Sequence, residues 1–260
     1  MKHCARLLVL LPIFLFVLFM APMAHADAKS DYDYQYGQYR RGYSEFLILK
    51  QDYLATPSLD NQQKAMLSAK QTILARDLAK ASLDWYLMDL IGSSNVNYEP
   101  IKPVLTSLNT ARLFFLGEAQ KSQAITTQTD LKKFTQNYLN LATENDSMIK
   151  FGIVGNKIAA LVRIQIDSKT ALDEIIPKLP VPMPSGLSAR VQELKDSAKF
   201  IDAKIDLLAN NLNLADAVAE SVTEIFFTAR IEKLIEIHDL QLDWINRLID
   251  IDINYVQPKN

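Results

Sequence analysis

The chain has 260 residues, with 28 lysines and arginines against 30 aspartates and glutamates. Lys2 and Arg6 precede every acidic residue, so the 234 residues after Ala26 carry 26 basic and 30 acidic side chains, a balance of −4. Such a balance offers no positive field for nucleic acid or an anionic membrane. Cys4, His3 and His25 also fall before position 27, which leaves no cysteine and one histidine, His238, in the remainder. Disulfides, thiol catalysis, Cys/His zinc sites and iron–sulfur clusters are thereby excluded there.

Residues 1–26 have the three parts of a secretory signal. Lys2 and Arg6 form the positive end, residues 7–20 are an uncharged apolar run, and Ala24-His25-Ala26 is a small-x-small cleavage site. The run falls short of the roughly 20 residues that a spanning helix needs, and Pro12 and Pro22 interrupt or bound it. Cleavage after Ala26 is therefore expected in preference to a retained anchor. Cys4 lies before the apolar run, not just after it, which argues against a lipoprotein. The mature protein is expected to be periplasmic or extracellular, and the absence of cysteine suits a bacterial envelope.

The remainder, 27–260, reads as one elongated all-α domain, a bundle of about five helices. No proline occurs from Val104 to Ile176 or from Ser185 to Gln257, and glycines number only seven. Long helices need such stretches, since Pro and Gly cost about 3 and 1 kcal/mol in a helix interior. The first helix is predicted over 34–55, with Tyr36, Tyr39, Tyr43, Phe46 and Tyr53 on one face as core or partner contact. Pro57 ends it. A second helix, 58–91, carries a stripe of Leu67, Leu74, Leu78, Ala81, Trp85 and Met88, and stops at Gly92-Ser93-Ser94-Asn95. A third covers 101–124.

The fourth helical region spans 130–179, with Phe151, Val154, Ile158, Leu161, Leu172, Ile175 and Leu179 as its stripe and Gln165 and Ser168 between. Asn145-Asp146-Ser147 and the Gly152/Gly155 pair are candidate breaks or kinks, the glycines alternatively serving close helix packing. The last helix is predicted over 187–254, and the spacing leaves open whether it is continuous. Val191, Leu194, Ala198, Ile201, Ile205, Leu208, Leu212, Ala215, Ala219, Val222, Phe226 and Ala229 alternate by 3 and 4, the strongest periodic signal in the chain. Beyond Ala229 the stripe shifts to Ile235, His238, Leu242, Ile245 and Ile249. Four prolines in 177–184 force a tight extended turn between these two regions. An antiparallel hairpin over 130–254 is the expectation, with Leu172, Ile175 and Leu179 near Val191, Leu194 and Ala198.

No residue set identifies a catalytic, cofactor or metal site. His238 sits on the apolar stripe between Ile235 and Leu242, so it is read as a packed seam residue. Glu232, Glu236, Asp239, Asp243 and Asp250 form an acidic face at helical spacing, read as solvated, with Arg247 placed to pair with Asp243. Tyr32 and Tyr34 lie ahead of the tyrosine stripe and are not explained by it, and Arg40 and Arg41 lie among these rings. Phe151-Gly152-Ile153-Val154-Gly155-Asn156 lacks the Lys-Ser/Thr sequel of a phosphate loop.

The segment Tyr36-Gly37-Gln38-Tyr39-Arg40-Arg41-Gly42-Tyr43-Ser44-Glu45-Phe46, continuing to Lys50-Gln51-Asp52-Tyr53-Leu54, resembles the opening of a group of uncharacterised secreted α-helical bacterial proteins. That resemblance implies an exported helical protein and carries no activity. The leading expectation is a non-catalytic envelope bundle that meets a protein partner, or copies of itself, through its helical faces. One alternative is a pore-forming protein, for which 111–116 and the proline tip with Leu179, Val181 and Met183 are the apolar candidates for insertion. Another is a soluble ligand-sensing bundle.

Overall fold

The computed structural model describes residues 27–219 and 223–256. The signal segment and Val222 lie outside the described residues. Within them the chain is all-α, with seven α-helices and no strand. They are α1 (Ala28–Ala55), α2 (Leu59–Ser93), α3 (Lys102–Ser122), α4 (Gln128–Ile175), α5 (Ser185–Asn210), α6 (Leu214–Ala219) and α7 (Thr223–Ile251).

Local chemistry sets most boundaries. Asp27 caps α1 by accepting from Lys29 N, and Lys29 pairs with Asp33 one turn on. The first helix therefore starts six residues before the apolar stripe suggests. Ser58 accepts from Asn61 N to open α2, and Asn95, with φ +52°, takes the left-handed conformation just beyond its end. Thr127 and Asp130 form a reciprocal capping box at the start of α4. That helix then runs 48 residues, about 70 Å at 1.5 Å per residue, through Asn145 and both glycines without a break.

Gly152 and Gly155 exist for close packing. A Cβ on Gly152 would lie 2.3 Å from Leu108 Cδ2, and one on Gly155 would lie 2.6 Å from Val104 Cγ1. Both α3 side chains are buried, so α3 and α4 approach closely only because these side chains are missing.

The helices divide into two packing environments joined by α4. In the first, α2 is covered by α1, α3 and α4. Because three neighbours surround it, its buried positions circle the helix instead of forming a stripe. They include Ala65, Ser68, Ala69, Thr72, Asp77, Ala81, Asp84, Leu87 and Ile91. Leu67 and Trp85, expected in the core, are exposed. The tyrosine stripe is corrected likewise. The inward face of α1 passes through Ala28, Tyr32, Tyr39, Gly42, Phe46 and Tyr53, while Tyr36 and Tyr43 lie at its margins and are exposed.

In the second environment α5 returns along the C-terminal half of α4 after the proline turn. Leu172, Leu179, Val191, Leu194 and Ala198 share one buried core, and Ile175 packs against it. Gln165 Nε2 donates to Ala198 O at 3.1 Å. α7 packs on both α4 and α5. Its pairs with α5 are Glu236–Lys204, Arg247–Glu193 and Asp250–Arg190, so residue numbers fall along one helix as they rise along the other. The two are antiparallel.

The single helical element over 187–254 is therefore corrected to α5, α6 and α7, and with it the two-helix form of the hairpin. α5 ends at Asn210, where Asn211 N bonds Leu207 O, and Asn213 Oδ1 accepts from Asp216 N to start α6. Asparagine competes well for its neighbouring backbone and favours caps over helix interiors. Its cluster at 210, 211 and 213 outweighs a periodic apolar pattern that continues past it. Ala215 and Ala219, assigned to the seam by spacing, are exposed, and Ala217 is buried in their place.

Candidate interaction surface

The inward face of α7 is Ile237, Gln241, Trp244, Leu248 and Ile251, all buried. Polar atoms on this face are used to bind helix backbones. Trp244 Nε1 donates to Leu194 O at 2.7 Å, and Gln241 Nε2 donates to Leu161 O at 2.8 Å. Together with Gln165, these side chains tie α4, α5 and α7 at a fixed register. A shift of one turn would strand each buried donor, at a cost of roughly 1–3 kcal/mol apiece.

The shifted stripe expected to be core is the outer face of the same helix. Ile235, Leu242 and Ile249 are each 49–54 % exposed, and His238 lies among them, also exposed; Ile231, one turn earlier on the same face, is 47 % exposed. Ile245 is half-buried. The stripe lies about 100° around the helix from the buried one, since His238, Leu242, Ile245 and Ile249 each follow a buried position by one residue. α7 thus has two apolar seams. One is filled within the chain and the other faces solvent over about 27 Å, from Ile231 to Ile249.

Beside this stripe lies a shallow groove of about 330 Å³ between α4 and α7. Ala160, Leu161 and Ile164 line one wall, and Ile231, Leu234, Ile235 and His238 line the other. Lys157 stands on the α4 edge. The opposite edge is acidic, with Glu232, Asp239 and Asp243 exposed on α7. Of the expected acidic face, Glu236 pairs with Lys204 at 2.6 Å and Asp250 pairs with Arg190. Asp243 lies 3.8 Å from Arg247, as its spacing suggested. No group of three or more His, Cys, Asp or Glu side chains suited to a metal ion occurs among the described residues. His238 Nδ1 lies 3.5 Å from Asp239 Oδ1 and is not packed in a seam.

A second concentration of charge is internal and went unread in the sequence. Between α2, α3 and α4, Arg76 binds Asp77 through Nε at 2.8 Å and Nη2 at 3.1 Å, and its guanidinium lies 3.6 Å from the Tyr138 ring centroid. Lys80 donates to Asp146 at 2.5 Å and to Tyr138 Oη at 3.1 Å. Asp77 and Asp84 are both fully buried. Burial pushes the Asp77 carboxyl up, against the pull of Arg76. Asp84 has no hydrogen-bond partner on either oxygen, and burial, reinforced by the Asp146 charge, pushes it up to about 8. At neutral pH it is chiefly the uncharged acid, which is how a carboxyl survives in that position.

The remaining sequence candidates are dispersed. Tyr32 stacks between Tyr36 and Tyr86, with centroids at 5.8 and 6.1 Å, which accounts for it. Tyr34 is exposed. Of the apolar 111–116 segment, Ala111 and Phe115 are buried and Leu113 is exposed. At the proline tip Leu179 is buried and Val181 exposed. No helix among the described residues is long and apolar enough to cross a membrane. No family model, curated protein or solved structure matches this chain.

Proposed function

We propose that this is a non-catalytic, exported helical-bundle protein that self-associates through the outer face of α7. The observation that carries this reading is the second seam, the row Ile231, Ile235, His238, Leu242, Ile245 and Ile249 at alternating 4- and 3-residue spacing, exposed but for half-buried Ile245, on a helix whose other seam is filled. A row of that period fits another helix better than it fits a flat surface or a small molecule. A second copy of the chain suits its edges. With a two-fold axis along α7, the acidic edge of one copy meets the Lys157 edge of the other. An antiparallel pairing would set acid against acid.

The test uses the mature chain, 27–260. Light scattering across a concentration series should show a dimer, and Ile235→Asp and Leu242→Asp should return it to monomer without altering the helical melt. Because the mature chain has no cysteine, Ile231→Cys should crosslink to its own copy under oxidation, which parallel pairing permits. Wild-type protein that stays monomeric at the highest concentration it tolerates would overturn self-association.

A further inference from the structure

A cleft of about 280 Å³ opens between α1, α2 and the first turns of α4, far along the chain from the α7 face. It exists because α1 packs on α2 with little contact to α4, so two helices share one support and leave a gap between them. Small residues on α2, Ala69 and Thr72, form its floor, and rings from both neighbours form its walls. Tyr39, Tyr43 and Phe46 come from α1, and Phe134 comes from α4. The lining is predominantly apolar and aromatic with a few placed polar atoms, the usual make-up of a small-molecule site, in a volume just below the usual range.

Those polar atoms have defined roles. Arg76 is fixed by Asp77 and by its stacking on Tyr138, with Nε and Nη2 engaged. Among the described residues, no hydrogen bond engages Nη1. Thr72 Oγ1 and Thr135 Oγ1 each donate to the carbonyl four residues back, Ser68 O at 2.8 Å and Leu131 O at 2.9 Å. Their hydrogens are spent and only lone pairs remain to offer. The site therefore presents one rigid cationic donor, the Tyr39 and Tyr43 hydroxyls, which can donate or accept, and weak acceptors. The charge of Arg76 is already matched by Asp77 and that of Lys80 by Asp146. A ligand carboxylate would leave the cluster with an uncompensated negative charge, and an ammonium would meet Arg76 directly.

We infer that this cleft binds an uncharged aromatic molecule of one or two rings, the rings held among Tyr39, Tyr43, Phe46 and Phe134 and a carbonyl-type oxygen accepting from Arg76. This site is separate from the α7 face and stands whether or not the chain self-associates.

Calorimetric titration of the mature chain with naphthalene-2-carboxamide, naphthalene-2-carboxylate and naphthalene tests it. The carboxamide should bind saturably at one site. Naphthalene, without an acceptor for the guanidinium, should bind at least about tenfold more weakly, and the carboxylate more weakly than the carboxamide. Ala69→Phe, which fills the floor, should abolish binding; Thr135→Val, which removes only a hydroxyl near the rim, should leave most of it. Should Ala69→Phe fail to fold by circular dichroism, competition by 4-hydroxybenzamide and a Phe134→Ala titration take its place. Absence of saturable carboxamide binding would overturn the inference. So would equal binding by naphthalene, tighter binding by the carboxylate, or unchanged binding when the cleft is filled or Phe134 is truncated.

Discussion

The two ends of α4 sit in different kinds of core. Around its C-terminal half, α5 and α7 supply Val191, Leu194, Ala198, Ile201, Ile205 and Leu208 on one side and Ile237, Trp244, Leu248 and Ile251 on the other, a mainly apolar seam at helical spacing crossed by Gln165 and Gln241. Around its N-terminal half, α2 brings small residues and buried charge, with Ser68, Thr72, Asp77, Ser82 and Asp84 inside. A helix with one open side needs one apolar stripe. A helix enclosed by three others needs small side chains all round and can bury an acid only in a neutral or paired form. The difference shows that helical periodicity reports how many neighbours a helix has, as well as that it is a helix.

The sharpest break of this comparison is a charge placed in each core as the sequence defines it. Leu208→Asp puts an uncompensated carboxylate into the α5 seam, at a cost of several kcal/mol. Against a total stability of roughly 5–15 kcal/mol, much of the helical signal should be lost or melt far lower by circular dichroism. Leu67→Asp, equally part of a predicted stripe but exposed on α2, should shift stability by no more than about 0.5 kcal/mol.

Next in size is the pH dependence of the N-terminal core. The Asp84 pKa is higher folded than unfolded, so between the two values the folded state binds more protons. Stability from this group is fully present below about 4 and is lost as pH rises towards and through about 8. Asp77, raised in the same direction, adds to the slope. Asp84→Asn should flatten the profile and make the protein more stable than wild type by a few kcal/mol at alkaline pH, with the curves converging near pH 4. Melting temperatures from pH 4 to 9 check it; a variant that runs parallel to wild type throughout would contradict a neutral Asp84.

A smaller effect separates glycines. Gly155→Ala forces a methyl into Val104, with overpacking of about 1–3 kcal/mol partly offset by about 1 kcal/mol of helix propensity. Gly37→Ala on α1 meets nothing within 4 Å and should stabilise by up to about 1 kcal/mol. Denaturant midpoints should move in opposite directions. The smallest effect belongs to His238→Gln, which on an exposed position should leave the melt within about 0.5 kcal/mol of wild type.

The sequence was most readable where one interaction dominates. The α5 stripe was identified position by position from Val191 to Leu208, because a heptad facing a single seam has one solution. The start of α2 was placed within one residue of its Ser58 cap, while the Thr127–Asp130 capping box that opens α4 was not read. Misreadings arose where two signals competed. At 210–213 asparagine capping prevailed over continuing periodicity. On α7 two stripes 100° apart are both apolar, and spacing does not say which is covered. The α7 surface was thus visible as residues but not as a surface. Arg76, Asp77, Lys80 and Asp84 lack a motif, and the cleft draws on three helices far apart in sequence.

What the sequence by itself determined is the helical class, the proline turn and the buried face of α5, each specified by local propensity or by a single period. Only the tertiary structure decided which seam of α7 is filled, why Gly152 and Gly155 are glycine, and that an acid on α2 is held neutral. Those outcomes depend on which atoms lie across the gap, and the residues that supply them are separated along the chain by whole helices.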